Sequence, residues 1–227
     1  MNEIMKKAIT LFLCLAFCLL TYSQNKKIKV AVGVQIDTVF TAVGAYSTRT
    51  FDVNMTKYLL NDIRSKVDTS FFELNEEVLP DMLKNKAEEV GQLDKHQLVS
   101  WCSSLKKKKG YDLVLLLYKP ETEVESYSFL NGFSYGMTVS DNKVFSLNSA
   151  VILDTRDASE LSNTGISSNS EFMTRLLKKD RFQKPLRDYT VNDLSTARVM
   201  IENLDRDFAI KVLQGLQVAK TKLGSKK

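Results

Sequence analysis

The chain has a single histidine, His96, and Cys102 follows it by six residues. A thiol beside an imidazole can be a nucleophile with its base, so this pair is the first candidate for covalent chemistry. On a helix, six residues turn through about 600° at roughly 100° each, which sends the two side chains to different faces. The pair is therefore poorly placed, and Cys102 reads as a buried, inert thiol. One histidine and so few cysteines exclude the common zinc sites. Neither a G-x-S-x-G turn nor a G-x-x-x-x-G-K-S/T phosphate loop occurs, and a Ser-His-Asp triad would have to recruit His96.

Three further groups could do chemistry. Lys106, Lys107, Lys108 and Lys109 form the densest run of charge and could contact phosphates. No aromatics interleave them as a base-stacking platform requires, and lysines ending a helix complement its dipole, so nucleic acid is not expected as a partner. Asp154, Asp157 and Glu160 lie close together in "DTRDASE", but without the alternation and the glycine of a calcium loop they read as a turn. Tyr127, Phe129, Phe133 and Tyr135 are candidate exposed aromatics for gripping a partner. Paired carboxylates can hydrolyse glycans without histidine or cysteine, so a carboxylate-based hydrolase of an envelope polymer stays open.

The elements that would position these groups follow from periodicity. In "KKIKVAVGVQID" Ile28, Val30, Val32, Val34 and Ile36 alternate with polar or small residues, which predicts a strand. Ala31 and Gly33 on its second face leave room for a helix. After a polar loop, Asn54 caps an amphipathic helix carrying Met55, Leu59, Leu60, Ile63 and Val67. "SFFEL", residues 70–74, is a possible second strand. Pro80 suits the start of another helical segment, and Asp94 the cap of "KHQLVSWCSSLKKKKG", whose Leu98, Val99, Cys102 and Leu105 share a stripe that ends at Gly110.

"YDLVLLLYK" holds five unbroken aliphatics, Leu113 to Leu117, as a central parallel strand does. Beyond Pro120, "TEVESYSFL", "GFSYGMTVS" and "KVFSLNSAVILD" read as an antiparallel meander. Within the polar stretch 159–188 only "EFMTRLLKK" looks helical. From Val191 on, Ala197, Ile201, Leu204, Phe208, Val212 and Leu216, widened by Met200, Ala209 and Leu213, predict a long C-terminal helix docked on the sheet. The expected fold is thus α/β (α+β mixed): a mixed sheet, two crossover helices, an antiparallel meander and that helix.

The N-terminus points to a compartment. Lys6 and Lys7 precede thirteen residues, Ala8 to Leu20, that are apolar except for Thr10. A spanning helix needs roughly 20 apolar residues, so this run has the length of a secretory leader. Thr21 and Ser23 are small enough to flank a cut before Gln24, giving a signal peptide over 1–23 and a single domain over 24–227. Leu13 before Cys14 and Phe17 before Cys18 are too bulky for a lipid-attachment motif.

The leader carries Lys6, Lys7 and Glu3, so 32 basic and 27 acidic residues become 30 and 26, a net charge of +4. Cys14 and Cys18 leave as well, and a domain with one cysteine has no internal disulfide. The expectation is a periplasmic or secreted chain with no membrane span after cleavage. Three prolines and nine glycines argue against disorder and against a loop-rich all-β fold.

"IKVAVGVQI", then "GYDLVLLLYK" after the second helix, then "FSLNSAVILDTRDASEL" running from a strand into an Asp-containing turn, resembles a group of bacterial envelope domains. The group includes the N-terminal domain of the translocation protein TolB, the lipoprotein activators of penicillin-binding proteins and the curli secretion lipoprotein. The resemblance covers roughly residues 27–160 and lies in pattern rather than in a specific motif. It implies an envelope role through protein contacts, with an envelope protein as partner, no cofactor and no catalytic residues to carry over. The missing lipid-attachment motif departs from the lipoprotein members.

Overall fold

A computed structural model describes residues 27–36, 38–80, 95–119, 130, 133–164, 173–176 and 185–225. The first strand, β1 (Ile28–Gln35), pairs in parallel with β4 (Phe72–Glu76) on one side and with β5 (Leu113–Tyr118) on the other. Antiparallel β8 (Ser149–Asp154) and β9 (Glu160–Thr164) complete a sheet of order β4-β1-β5-β8-β9. Helix α1 (Met55–Lys66) lies between β1 and β4 in the chain, and α2 (Lys95–Lys109) between β4 and β5. These are the two expected crossovers.

The aliphatics of β5 divide between the two faces of the sheet. Leu113, Leu115 and Leu117 join Val30 and Val32 against Met55, Leu59 and Ile63 of α1. Val114 and Leu116 join Ala31 against Trp101, Cys102 and Leu105 of α2. Each such side chain, fully buried, contributes about 1.5–3 kcal/mol, which is why an unbroken aliphatic run settles at the centre. Close approach of α2 depends on Gly33, where an added Cβ would lie 2.9 Å from Leu79 Cδ2 and 3.0 Å from Trp101 Cη2. The α1 cap is as expected, with Asn54 Oδ1 accepting from the Lys57 N–H at 3.0 Å. Gly110, at φ 71°, ends α2.

Helix α3 (Ser195–Ser225) follows a short 3-10 turn, Val191–Leu194, and packs beside α1. Its buried seam is Ala197, Ile201, Asp205, Ala209, Val212, Gly215, Leu216 and Ala219. The expected stripe members Leu204 and Phe208 sit half-buried on the shoulder of that seam. At Gly215 an added Cβ would lie 2.9 Å from Ser162 Oγ, so the helix rides directly on β9.

A second sheet, of order β10-β7-β6-β2-β3, holds the features that the sequence hid. Residues 40–51, expected as polar loop, form β2 (Phe40–Val43) and β3 (Thr48–Phe51), with the Phe40 and Phe51 rings edge-to-face at 6.2 Å. "EFMTRLLKK", expected as helix, contributes β10 (Met173–Arg175) instead, paired with β7. The expected meander is represented by β6 (Tyr135–Thr138) and β7 (Lys143–Ser146), turned at Asn142 with φ 50°.

The single strand expected over 143–154 breaks at Leu147-Asn148. β7 belongs to the second sheet and β8 to the first. Both this link and the step from β1 to β2 pass between the sheets near the carboxyl ends of β1 and β5. The segment after Pro80, Asp94, the first meander strand as far as Phe129, and the N-terminal run all lie outside the described residues.

Candidate functional site

The expected basic cluster ends α2, but its lysines have unequal roles. Lys106 Nζ lies 2.7 Å from Asp112 Oδ1, and Asp112 Oδ2 accepts the Lys29 N–H at 3.1 Å. Lys109 Nζ lies 2.6 Å from Glu77 Oε2, while the Tyr111 hydroxyl donates to Glu77 Oε1 at 2.7 Å. Burial pushes the Glu77 carboxyl up, but bonds from Lys109 and Tyr111 outweigh it and hold the group below its usual range. Tyr111 rises to about 12 through burial and its carboxylate neighbour. Two of the four lysines thus fasten the end of α2 to the sheet, and Lys107 and Lys108 are exposed.

The aromatic candidates need correction. Tyr135 is fully buried and Phe133 is half-buried against Val43, Leu130, Phe145 and Leu147. The reason is that β6 turns this face toward the main core, where α3 packs on it. Tyr135 and Met137 point into the main core together. Tyr127 and Phe129 lie outside the described residues.

His96 and Cys102 separate as the helical geometry required: His96 is exposed and Cys102 is buried. Burial, then the charge of Asp154, pushes the Cys102 thiol up to about 12, far from a reactive thiolate. The "DTRDASE" carboxylates also go separate ways. Asp154 is buried and holds the Arg156 guanidinium, with Nη2 to Oδ2 at 2.6 Å and Nε to Oδ1 at 2.9 Å. Asp157 accepts the Ser159 N–H at 2.9 Å, and Glu160 faces solvent. Among the described residues no group of three or more His, Cys, Asp or Glu could hold a metal ion.

One group was missed. Asp205 faces inward from the middle of α3, 2 % exposed. Ser146 Oγ donates to its Oδ1 at 2.5 Å, and Asn148 Nδ2 donates to the same oxygen at 3.2 Å and to Ser146 Oγ at 2.9 Å. Burial pushes the Asp205 carboxyl up to about 7; the two hydrogen bonds oppose this, and the charges of Glu202 and Asp62 reinforce it. The signal was present in the spacing, since Asp205 follows Ile201 and precedes Ala209 by four residues each, on one helical face. A carboxyl titrating near neutrality has the acidity of a general acid or base. It lies buried under α3 rather than in either cavity beside that helix.

The surface offers a different kind of feature along α1 and α3. A cavity of about 170 Å³ is lined by Phe40, Val53, Val191, Leu194 and Arg198, and another of about 230 Å³ by Val67, Phe72, Ile210, Leu213 and Leu216. Beside them Tyr58, Phe71 and Ile210 are roughly two-fifths exposed. Arg198 stacks over Tyr58 at 5.3 Å, and Lys220 Nζ lies 3.0 Å from the Phe71 ring centre. Asp68 is the single carboxylate lining either cavity, and it accepts both the N–H and the hydroxyl of Ser70. No helix among the described residues is long and apolar enough to cross a membrane. No protein-family model, curated protein or solved structure matches the chain.

Proposed function

We propose that the chain is an exported, non-catalytic α/β domain, periplasmic or secreted, that works by binding another protein of the cell envelope. The observation that carries this reading is how the ionisable groups are used. Lys106, Lys109 and Asp205 make bonds that fasten a helix to a sheet, and Asp154 holds Arg156 within its own turn. A hydrolase built on two carboxylates needs both facing one cleft, and neither of the two cavities beside α3 is lined by two. The half-exposed apolar side chains of α1 and α3 support recognition as the task instead. The apolar N-terminal run supports export, and the pattern-level resemblance to envelope domains points to the same company.

Two measurements on the purified chain test this together. Immobilised protein exposed to envelope extract should retain one protein at fixed stoichiometry, and generic ester, phosphate-ester and glycan substrates should survive unchanged. Steady turnover that disappears when one carboxylate is neutralised would replace this reading with the hydrolase.

A further inference from the structure

The two sheets meet where β7 gives way to β8, and the link Leu147-Asn148 is held from one side by α3. That helix packs on β6 and β7 of the second sheet and on β8 and β9 of the first, so it spans the joint. At the crossing stands the cluster Asp205, Ser146 and Asn148, each less than a tenth exposed. Leu147 is fixed separately, its N–H donating to the Ser134 carbonyl at 2.7 Å.

The cluster is one donor short. Ser146 and Asn148 both direct donors at Asp205 Oδ1, while Asp205 Oδ2 and Asn148 Oδ1 are buried acceptors with no hydrogen-bond partner. No lysine or arginine among the described residues reaches the Asp205 carboxyl. The groups that act on it through space are acidic: Glu202, one turn back on α3, and Asp62 on α1. Their cations are committed elsewhere, Arg198 to Glu202 at 3.2 Å and Lys66 to Asp62 at 2.6 Å.

The other elements packed on α3 bring no counter-ion to the carboxyl. β6 carries Tyr135, β7 has Lys143 at its far end, and β8 ends in Asp154, held by Arg156. β9 begins with the exposed Glu160, and the 3-10 turn holds Asp193, bonded to Thr190. A carboxylate here is a buried charge without a counter-ion, whereas a carboxylic acid supplies the missing donor.

We propose that Asp205 makes the joint between the two sheets proton-sensitive: closed while the carboxyl is protonated, and opening at the Leu147-Asn148 link to admit water when it ionises. The inference concerns the fold's own mechanics and holds in whichever compartment the chain works. The closed joint retains the proton up to about pH 7, while an opened, solvated carboxyl releases it near the ordinary value of 3.8. Opening is therefore favoured by roughly ten-fold per pH unit between these limits and levels off above them.

The test is amide hydrogen exchange on the full chain, corrected for the intrinsic pH dependence of exchange and followed at residues 146–150. From about pH 5 to about pH 7, protection at these amides should fall by up to roughly a hundred-fold in the wild type and stay level in Asp205→Asn. Unchanged protection in the wild type, or the same fall in the variant, overturns the proposal. Should the variant not fold, the wild-type Asp205 side-chain carbon resonance decides. A titration midpoint near 7 is the expected result, and one near 4 refutes it.

Discussion

Ser146 Oγ donates a hydrogen bond to Asp205 Oδ1 across 2.5 Å, joining the last residue of β7 to the middle of a helix 59 positions further on. The bond explains why a segment that reads as one strand is two. At Ser146 the chain is held by α3, and past Asn148 it enters the other sheet.

Stability should fall as pH rises from about 4 to about 7 and then level off. The sign follows from Asp205, whose folded pKa of about 7 lies above the ordinary 3.8, so the folded state binds the extra proton throughout that window. The full effect is on the order of 4 kcal/mol, at 1.36 kcal/mol per unit. Urea unfolding at several pH values should show this slope in the wild type and not in Asp205→Asn. Asp154 and Glu77, both held below their usual range, act in the opposite sense, and their contribution disappears as pH falls through their folded values.

Arg156→Met should destabilise the fold by about 3 kcal/mol, because it takes the guanidinium away from a buried carboxylate and leaves it the N–H of residue 156. The Asp154 side chain is 1 % exposed, whereas Arg156 is 42 % exposed. Asp154→Asn should therefore cost less than Arg156→Met, since the guanidinium it releases reaches solvent. Denaturant midpoints of the two variants give the order directly.

Gly136→Ala should abolish folding or lower the melting temperature steeply. An added Cβ would fall 1.9 Å from the Thr41 carbonyl oxygen, and β2 cannot retreat without losing its parallel pairing with β6. Gly33→Ala meets side-chain carbons at 2.9 and 3.0 Å instead, and should cost about 1–3 kcal/mol by overpacking. Thermal melts that rank the two in reverse would contradict the packing.

The four lysines should divide into pairs. Lys106→Ala and Lys109→Ala each remove an ion pair and should cost up to about 1 kcal/mol. Lys107→Ala and Lys108→Ala should leave stability within about 0.5 kcal/mol of wild type. Any hold on an anionic resin should be released at about 0.15 M salt, where screening sets in over roughly 8 Å.

The central strands of the first sheet were written plainly in the chain, whereas β9 falls in a stretch that reads only as polar. Alternation from Ile28 to Ile36 marks β1, five aliphatics mark β5, and Ala31 with Gly33 correctly marks the face on which α2 lies close. Of the second sheet only β6 and β7 were legible, as the meander; β2 and β3 have four residues each and β10 three, which leaves one or two side chains per face. The pairing of β2 with β6 brings together residues about 95 positions apart, a relation that no local period records. Tyr135 looked like surface because what covers it, the main core and α3, comes from distant parts of the chain. Asp205 was overlooked because an apolar stripe drawn through Leu204 and Phe208 passes beside the seam that α3 buries.

The account depends most on export, and the N-terminal sequence of the protein recovered from its source cells tests that directly. It predicts a chain beginning at Gln24 in the periplasmic or extracellular fraction. An intact Met1 on protein recovered from the cytosol would contradict it.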